Sequence, residues 1–357
     1  MEPLSISQRR AQADSFLFRG FQPHVRFGTA SDRYAGWIGQ IYPESYSTRV
    51  TSRRRKLGKK TYEERTVPVD SAADYFEHFD VLEIDFTFYR ALLDTDGKTT
   101  SNYGALERYA ECAPAHARFY LKAPQACFAR RIRRSVGGKA TYQRNPDFLN
   151  ATAYERTFLH PALEILGDRI QGVIFEQEYQ RVSDSPNPDE NVRELDGFFR
   201  SIPRLVQSHL EIRSSHLLHP PYFDWLADMG LGFVFSHWTW LPPLRAQWKL
   251  SGERFTAADR NAVARLLTPL DMPYAKAYGK THPFDAVVPE IANSEQAQRM
   301  ILDTTALAFQ AENHDAVLNV IANNRAWGNA PALARAVANR ILEEEERRSV
   351  SGDQSRP

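Results

Sequence analysis

The sequence has few cysteines and no long hydrophobic run. Its 357 residues include two cysteines, Cys112 and Cys127, and neither has the CxxC or Cys/His spacing of a zinc site. A reducing cytoplasm suits this composition best. No apolar stretch reaches the roughly 18 residues that a membrane-spanning helix requires. The first 20 residues are polar and lack the apolar core of a secretory signal, so we expect neither membrane insertion nor export.

Three common motifs are also absent. The sequence contains no GxGxxG dinucleotide turn, no GxxxxGK[ST] phosphate loop and no HExxH zinc helix. The first predicted strand ends in Gly28-Thr29-Ala30-Ser31, which does not form a glycine-rich phosphate turn. Nucleotide-loop chemistry and zinc-protease chemistry therefore lose support.

Segments with alternating hydrophobic residues recur along the chain between helical ones. In residues 81–89, Leu82, Ile84 and Phe86 fall on one face of a strand, and Glu83 and Asp85 on the other. Eight segments are predicted as strands: 25–30, 81–89, 117–123, 170–177, 209–214, 232–238, 274–279 and 316–324. Helices are predicted between them, including one over 256–267. Eight strand-helix repeats close into a parallel barrel without a free sheet edge.

We therefore predict an α/β fold, a single (β/α)8 TIM barrel over residues 21–342. Residues 1–20 form an N-terminal extension, and residues 343–357 form a charged, frayed tail. A doubly wound open sheet is the alternative. It normally carries the glycine-rich turn that is missing here, so the barrel is favoured.

Two basic segments contrast with a net charge of only +1. Residues 49–65 contain eight Lys and Arg against two Glu, and residues 126–144 contain six with no acid, so the rest of the chain is acidic. They lie in a basic insertion, 45–69, and a basic loop, 126–144, which follow the first and third predicted strands. Loops after barrel strands share one end of the barrel, so both could form a positive rim that binds a polyanion. The predicted polyanion-binding residues are Arg53, Arg54, Arg55, Lys56, Arg130, Arg131, Arg133 and Arg134. The alternative is that each is a solvated or disordered loop whose charge is offset by the acidic body.

Several motifs lie at or near the predicted strand ends, including Phe27-Gly28-Thr29, Trp37, Tyr42-Pro43, the segment 82–89, Ile174-Phe175-Glu176-Gln177, Leu210-Glu211-Ile212-Arg213 and Ala322-Asn323-Asn324. Together these motifs resemble those of the YecE-like family, known as domain of unknown function 72. The resemblance extends over roughly residues 25–341 and implies a TIM barrel without indicating a reaction.

The sequence departs from the family pattern at four places. Asp32-Arg33 stand where the family tends to have a Trp-containing turn, and Asp85 replaces the usual Asn. Lys276 and Tyr278 replace an Arg and a His, and the basic insertion is longer than is usual for the family. These departures suggest a divergent subfamily with altered chemistry or reduced activity.

Active sites of TIM barrels lie at the carboxyl ends of the strands, and this rule selects the candidate residues. Asp85, Lys122 and Glu211 are predicted to be catalytic, because two carboxylates from different strands beside a cation can serve as general acid and base. The predicted substrate-binding residues are Glu83, Tyr89, Gln177, Arg213, Lys276, Tyr278, Asn323 and Asn324. Alternatively, these charges only neutralise one another in a structural layer inside the barrel.

No cofactor is predicted. His216, His237 and His282 follow strands five, six and seven, and with Asp85 or Glu211 they could ligate a divalent metal. Their spacing is irregular and matches no metal-binding motif, so no metal ligand is assigned.

Two functional hypotheses remain open. The first is a TIM-barrel enzyme that performs acid–base chemistry of the hydrolase or lyase type on an anionic or polyhydroxylated substrate. The second is a non-catalytic binder of nucleic acid or another polyanion. The enzyme would require the inner ring of polar residues, whereas the binder would require the basic loops.

Overall fold

The computed structural model describes residues 4–136 and 139–353, with side chains for all of these except 133–140 and 351–353. The strands are β1 Val25–Ala30, β2 Thr51–Leu57, β3 Lys60–Thr66, β4 Val81–Ile84, β5 Arg118–Lys122, β6 Arg131–Val136, β7 Lys139–Arg144, β8 Ile170–Gln177, β9 Ser208–Ile212, β10 Gly232–His237, β11 Asn261–Leu266 and β12 Val317–Ala322. The helices are α1 Ile6–Asp14, α2 Ala72–His78, α3 Phe86–Tyr89, α4 Ser101–Cys112, α5 Gln125–Phe128, α6 Ala151–Tyr154, α7 His160–Leu166, α8 Pro188–Ser201, α9 Pro220–Met229, α10 Leu244–Leu250, α11 Tyr274–Thr281, α12 Pro289–Ala292, α13 Glu295–Asn313 and α14 Ala330–Asp353.

Eight strands form a closed barrel in the order β1-β12-β11-β10-β9-β8-β5-β4. All of the pairings in it are parallel, and Gly28 of β1 is in register with Val81 of β4 and Ile321 of β12. Helices surround the barrel. The predicted TIM barrel is therefore confirmed.

The two basic segments form antiparallel hairpins. β2 pairs with β3 along Thr51–Leu57 and Lys60–Thr66, and β6 pairs with β7 along Arg131–Val136 and Lys139–Arg144. The first hairpin follows β1 and the second follows β5, so both leave the barrel at the carboxyl end of its strands.

The seventh barrel strand lies in a different segment from the predicted one. β11 lies within the range 256–267 that was predicted to be helical, and the predicted strand 274–279 is helical as part of α11. Pro273 precedes α11, and Tyr274, Tyr278 and Thr281 follow a helical spacing. The alanine-rich β11 is instead buried between β10 and β12, where tertiary pairing overrides helix propensity.

Two further predictions of local structure were wrong. The second barrel strand ends at Ile84, and Phe86 to Tyr89 form the short helix α3. The Thr87 hydroxyl donates to the carbonyl of Lys122 at 2.8 Å, which ties this turn to β5. The tail predicted to fray over 343–357 is helical as far as Asp353, where α14 ends, and residues 354–357 lie outside the described residues.

The interior of the barrel changes character along its axis. At mid-height, inward residues of successive strands form a small apolar core of Ala30, Val81, Tyr120, Ile174, Val234, Val263 and Ile321. Towards the amino ends of the strands, a Cβ on Gly172 or Gly232 would lie 2.8 Å or 2.1 Å from the His209 ring. The glycines thus make room for that ring, and its burial lowers the pKa of His209 to about 3. At the opposite end the inward residues are charged.

No helix in residues 4–136 and 139–353 is long and apolar enough to cross a membrane.

Candidate functional site

A cavity of about 980 Å³ opens at the carboxyl ends of the barrel strands. Its floor is formed by inward side chains of the barrel, including Glu83, Lys122 and Arg265. Its walls come from the loop after β1, the helix α3, the hairpin β2–β3, the helix α11 and Arg325 beyond β12. This is the end of a TIM barrel at which active sites are built.

A buried guanidinium lies in the centre of the floor. Arg265 of β11 donates from Nε and Nη2 to the two carboxylate oxygens of Glu83, at 2.7 and 2.5 Å. Its Nη1 donates to Glu211, which also accepts from the Ser236 hydroxyl. Glu83, Glu211 and Ser236 are inaccessible to solvent. Arg265 therefore joins strands β4, β9 and β11 across the barrel.

A second set of ion pairs continues this network towards β5. Arg213, just beyond β9, donates from Nη2 to Glu176 at 3.0 Å and to Glu211 at 3.2 Å. Lys122 of β5 forms an ion pair with Glu176. Three carboxylates and three cations, those of Lys122, Arg213 and Arg265, thus balance one another.

The network keeps its carboxylates ionised. Burial alone would raise the pKa of Glu176, but the charges of Arg213, Lys122 and Arg265 outweigh burial and hold that pKa well below its usual range. Burial acts in the same way on Glu211, and Arg213 and Arg265 again lower its pKa. Neither carboxylate is suited to exchange protons near neutral pH.

Two other carboxylates line the cavity without such partners. Burial raises the pKa of Asp32 to about 6, and the charge of Asp85 contributes to the rise. The Tyr109 hydroxyl donates to Asp32 Oδ1 at 2.6 Å, while Asp32 Oδ2 has no partner in the described part of the chain. The Asp85 carboxylate likewise forms no hydrogen bond or ion pair with any described residue. Both carboxylates thus keep acceptor oxygens that no described residue occupies.

The first hairpin is held against the barrel as a wall of the cavity. Arg55 donates to Glu64 at 2.8 Å, and the Tyr278 hydroxyl donates to the same carboxylate at 3.0 Å. His282 donates from Nε2 to the carbonyl of Glu63 at 2.8 Å. The Arg55 guanidinium also lies over the Tyr278 ring at 5.4 Å. These contacts fix the hairpin to α11 and to the loop that follows it.

Comparison with known proteins identifies the family. The family described as "Protein of unknown function DUF72" matches residues 26–356. The chain belongs to the DUF72 family. This confirms the YecE-like resemblance seen in the sequence. No curated protein matches the chain.

Solved structures of DUF72 proteins share the fold. One from Thermotoga maritima has a TM-score of 0.52 at 16% identity, and the match covers 89% of this chain and 99% of that chain. One from Enterococcus faecalis V583 has a TM-score of 0.53 at 13% identity, covering 89% of this chain and 95% of that chain. At such identities the likeness shows the barrel and carries no assignment of residues.

The cavity of this DUF72 protein brings together many of the residues predicted from sequence. Those that line it are Glu83, Asp85, Tyr89, Lys122, Arg213, Tyr278, Asn323, Arg53 and Arg55. Glu211 contacts the floor from below and does not line the cavity. Because α11 is a helix, Tyr278 reaches the cavity from its inner face and Lys276 is exposed on the other side.

The remaining predicted residues lie elsewhere. Gln177 faces the outside of the barrel and donates to Asn191 at 2.5 Å. Asn324 accepts from the Trp37 indole at 3.2 Å and from the backbone of Ala330 at 2.7 Å. Arg54, Lys56, Arg130 and Arg131 do not line the cavity, and the side chains of Arg133 and Arg134 lie outside the described residues.

Sequence reasoning missed several charged residues at the site, among them Asp32, Glu176, Arg265 and Arg325. Arg265 was hidden in the segment predicted to be helical. Glu176 and Gln177 are adjacent, and the sequence-based prediction names Gln177 as a substrate-binding residue. However, it is Glu176 that shares the inward face of β8 with Ile174. Asp32 and Arg325 lie two or three residues beyond their strands, a position that is itself a usable signal in a TIM barrel.

The three histidines considered for metal binding have separate partners. His216 Nε2 is paired with the Ser185 hydroxyl at 2.7 Å, and His237 Nδ1 donates to the carbonyl of Thr268 at 2.8 Å. His282 contacts the hairpin. Within the described residues, no three His, Cys, Asp or Glu side chains come together in an arrangement that could hold a metal ion.

Proposed function

We propose that this DUF72 protein is an enzyme that performs acid–base chemistry on a small anionic or polyhydroxylated substrate. The observation that carries the proposal is the buried Asp32 carboxyl, which lines the cavity and has a pKa raised to about 6. A carboxyl with this pKa populates both protonation states near neutral pH, as a proton-transfer group requires. Burial of one carboxyl beside a second, here Asp85, is a recurrent way of reaching that state.

The residues of the cavity and of the ion-pair network beneath it divide into two roles under this proposal. Asp32 transfers the proton, the Tyr109 hydroxyl orients its carboxyl, and Asp85 serves as the second carboxylate. Lys122 and Glu211 act as positioning residues, because their charges are already matched within the floor. A fixed array of ion pairs at the closed end of a cavity supplies a preorganised electrostatic environment for the reacting group.

Activity profiling with an extract of small metabolites tests this proposal. The purified protein is incubated with the extract, and mass spectrometry identifies compounds that it consumes. Asp32→Asn should lower the rate by about 100-fold or more, the usual contribution of a general acid or base. Asp271→Asn, which removes an exposed carboxylate outside the cavity, should leave it unchanged.

The pH profile gives a second measurement on the same protein. Once a consumed compound is known, kcat/KM of the wild type should show an ionisation near pH 6, the pKa of Asp32. If no compound is consumed, or if Asp32→Asn consumes it at the wild-type rate, the proposal is wrong.

A second candidate function is non-catalytic binding of nucleic acid or another polyanion by the two hairpins. Arg54, Lys56 and Arg131 are exposed on them and form no ion pair with any described residue. By contrast, Arg53 and Arg55 pair with Glu64, and Arg130 pairs with Glu194. Binding to duplex and single-stranded nucleic acid should weaken steeply with salt and be lost when Arg54 and Lys56 are changed to Glu. Unchanged binding in that variant would exclude this function.

A further inference from the structure

We infer that Arg325 and Arg213 form an anion-binding subsite in the wall of the cavity, which holds a carboxylate or phosphate group of the substrate. This inference rests on the proposed function for the identity of the anion as part of a substrate. It narrows the substrate class from anionic or polyhydroxylated to anionic.

Most cations of the cavity already have their charges matched. Lys122 and Arg265 are paired with buried carboxylates, and Arg53 and Arg55 share Glu64. Arg33 donates from Nε to the carbonyl of Val67 at 2.8 Å. Arg65 and Arg90 also line the cavity, but they are exposed to solvent. Among the lining cations, Arg325 and Arg213 have buried donors without a partner in the described part of the chain.

Arg325 is held by an aromatic ring rather than by an acid. The Asn323 side chain accepts from the backbone N–H of Arg325 at 3.0 Å, which fixes the turn just beyond β12. The guanidinium lies over the Tyr274 ring at 4.6 Å, and it forms no ion pair within 4.0 Å in the described residues. Its Nε is buried without a partner there. A stacked guanidinium keeps its in-plane donors available for an anion.

Arg213, closer to the floor, likewise has its guanidinium over an aromatic ring and keeps donors without a partner. Only 5% of it is exposed, and its guanidinium lies over the Trp238 ring at 4.2 Å. Nη2 binds Glu176 and Glu211, whereas Nε and Nη1 have no partner among the described residues. A buried donor without a partner is costly, so a ligand group that accepts from these donors is favoured.

The two arginines belong to one continuous stretch of the wall. The Trp238 ring, under Arg213, lies 6.3 Å from the Tyr274 ring, under Arg325. Both arginines line the same cavity as Asp32 and Asp85. An anionic group on this wall would therefore leave the rest of the substrate within the cavity that contains the proposed proton-transfer group.

Carboxylate and phosphate share the chemistry that this wall recognises. Both place two or more charged oxygens in one group, which guanidinium donors bind with charge-assisted hydrogen bonds. A neutral polyol would satisfy donors but would leave the positive charge of Arg325 unmatched. The two anions are separated by experiment.

Binding of simple anions to the intact protein tests the inference without requiring turnover. Titration calorimetry is performed with inorganic phosphate and with acetate, against potassium chloride at equal ionic strength. We expect the wild type to bind phosphate or acetate beyond the chloride control, and the anion that binds identifies the class. Arg325→Gln should weaken this binding by about tenfold or more, as expected for the loss of a charge-assisted contact.

Arg193→Gln is the matched control. It removes the same charge, but Arg193 of α8 is exposed, does not line the cavity and belongs to neither hairpin. Its anion binding should equal that of the wild type. If Arg325→Gln does not fold, Arg325→Lys is compared with Arg193→Lys, and only the former should weaken binding. The inference fails if the wild type binds neither anion, if Arg325→Gln binds as the wild type does, or if Arg193→Gln weakens binding equally.

One further variant separates this inference from the proposed function. Asp32→Asn should retain anion binding while losing turnover. If anion binding depends on Arg325 but no turnover depends on Asp32, the subsite is supported and the proposed reaction is wrong. If turnover depends on Asp32 but Arg325→Gln leaves KM unchanged, the proposed function stands and the subsite is wrong.

Discussion

Glu83, Glu176 and Glu211 lie inside the barrel, and each is bound by an arginine or a lysine from a different strand. Loss of one member of such a network destabilises the fold, because the partners that remain keep their charge in a medium that solvates it poorly. Asp32 and Asp85 differ, since no cation pairs with them among the described residues. The three paired glutamates therefore stabilise the floor of the cavity, whereas the two unpaired aspartates are the carboxylates that can react with a ligand.

Glu211→Gln should destabilise the fold by about 3–5 kcal/mol, because it leaves Arg213 and Arg265 with one carboxylate fewer in the buried floor. Urea denaturation measures this change. Glu77→Gln is the control, since the Arg19–Glu77 pair is exposed and should contribute less than about 1 kcal/mol. A loss for Glu211→Gln as small as that of the control would show that the floor is not an integrated network. A loss of activity in this variant alone would not assign catalysis to Glu211.

Asp32 should make stability depend on pH in a defined window. Its pKa is about 6 in the folded protein against 3.8 for an ordinary Asp, so the folded state binds a proton more tightly than the unfolded state. Stability is therefore highest below about pH 4 as far as this group is concerned, and it falls as pH rises to about 6. The full difference is roughly 3 kcal/mol.

Asp32→Asn removes this dependence. Relative to the wild type, the variant should gain stability as pH rises from about 4 to 6, and the gain should then stay constant. Chemical denaturation at a series of pH values measures it, with Asp271→Asn as an exposed control that shows no such trend. A difference that is constant across the window would show that the Asp32 carboxyl titrates normally.

At the scale of elements, the sequence correctly predicts the barrel but assigns its seventh strand to the wrong segment. Period-two segments such as 209–214 correctly predicted buried strands, because alternation directly reflects the two faces of a sheet. The segment 261–266 reads Asn-Ala-Val-Ala-Arg-Leu, in which alanine obscures the alternation. Its strand structure depends on pairing with β10 and β12, which local sequence does not encode.

The same limit applies to the candidate site. Alternation correctly placed Glu83 and Lys122 inside the barrel, but it could not predict Arg265 within a segment read as a helix. The raised pKa of Asp32 depends on burial by residues from distant elements, including Tyr109 of α4. Neither the unmatched donors of Arg213 nor the stacking of Arg325 on Tyr274 is visible before the chain is folded.

The docking of the first hairpin can be tested at a single glycine. A Cβ on Gly279 of α11 would lie 2.7 Å from the Tyr62 hydroxyl of β3, so Gly279→Ala should displace the hairpin from the wall of the cavity. Limited trypsin digestion measures this, because the hairpin is rich in Arg and Lys and should be cleaved faster once it is displaced. Gly197→Ala in α8 is the control, since nothing lies within 4 Å of its added Cβ. It should leave cleavage unchanged and stabilise the fold by about 0.5–1 kcal/mol. Equal cleavage in both variants would show that the hairpin does not depend on this contact.

At the scale of the whole molecule, the two ends of the described chain are joined. The helix α1 packs against α14, and Arg9 binds both carboxylate oxygens of Glu345 through its two terminal nitrogens. Gln22 also donates to Glu345, at 2.9 Å. This pair is only 14% and 16% exposed, whereas the neighbouring Arg10–Glu346 pair is 34% and 51% exposed. The segment predicted to fray is thus the part of α14 that contacts α1 on the outside of the barrel.

Adjacent glutamates on α14 allow this contact to be measured against an internal standard. Glu345→Gln should lower the free energy of unfolding by about 1–3 kcal/mol, because it weakens two charge-assisted hydrogen bonds in a half-buried setting. Glu346→Gln removes the same charge one residue further along the same helix, and its exposed pair should contribute less than about 1 kcal/mol. Salt should diminish the smaller effect more than the larger one, since screening acts mainly on exposed charges. Equal losses for the two variants, by urea denaturation at low salt, would mean that the ends of the chain meet only through weak surface electrostatics.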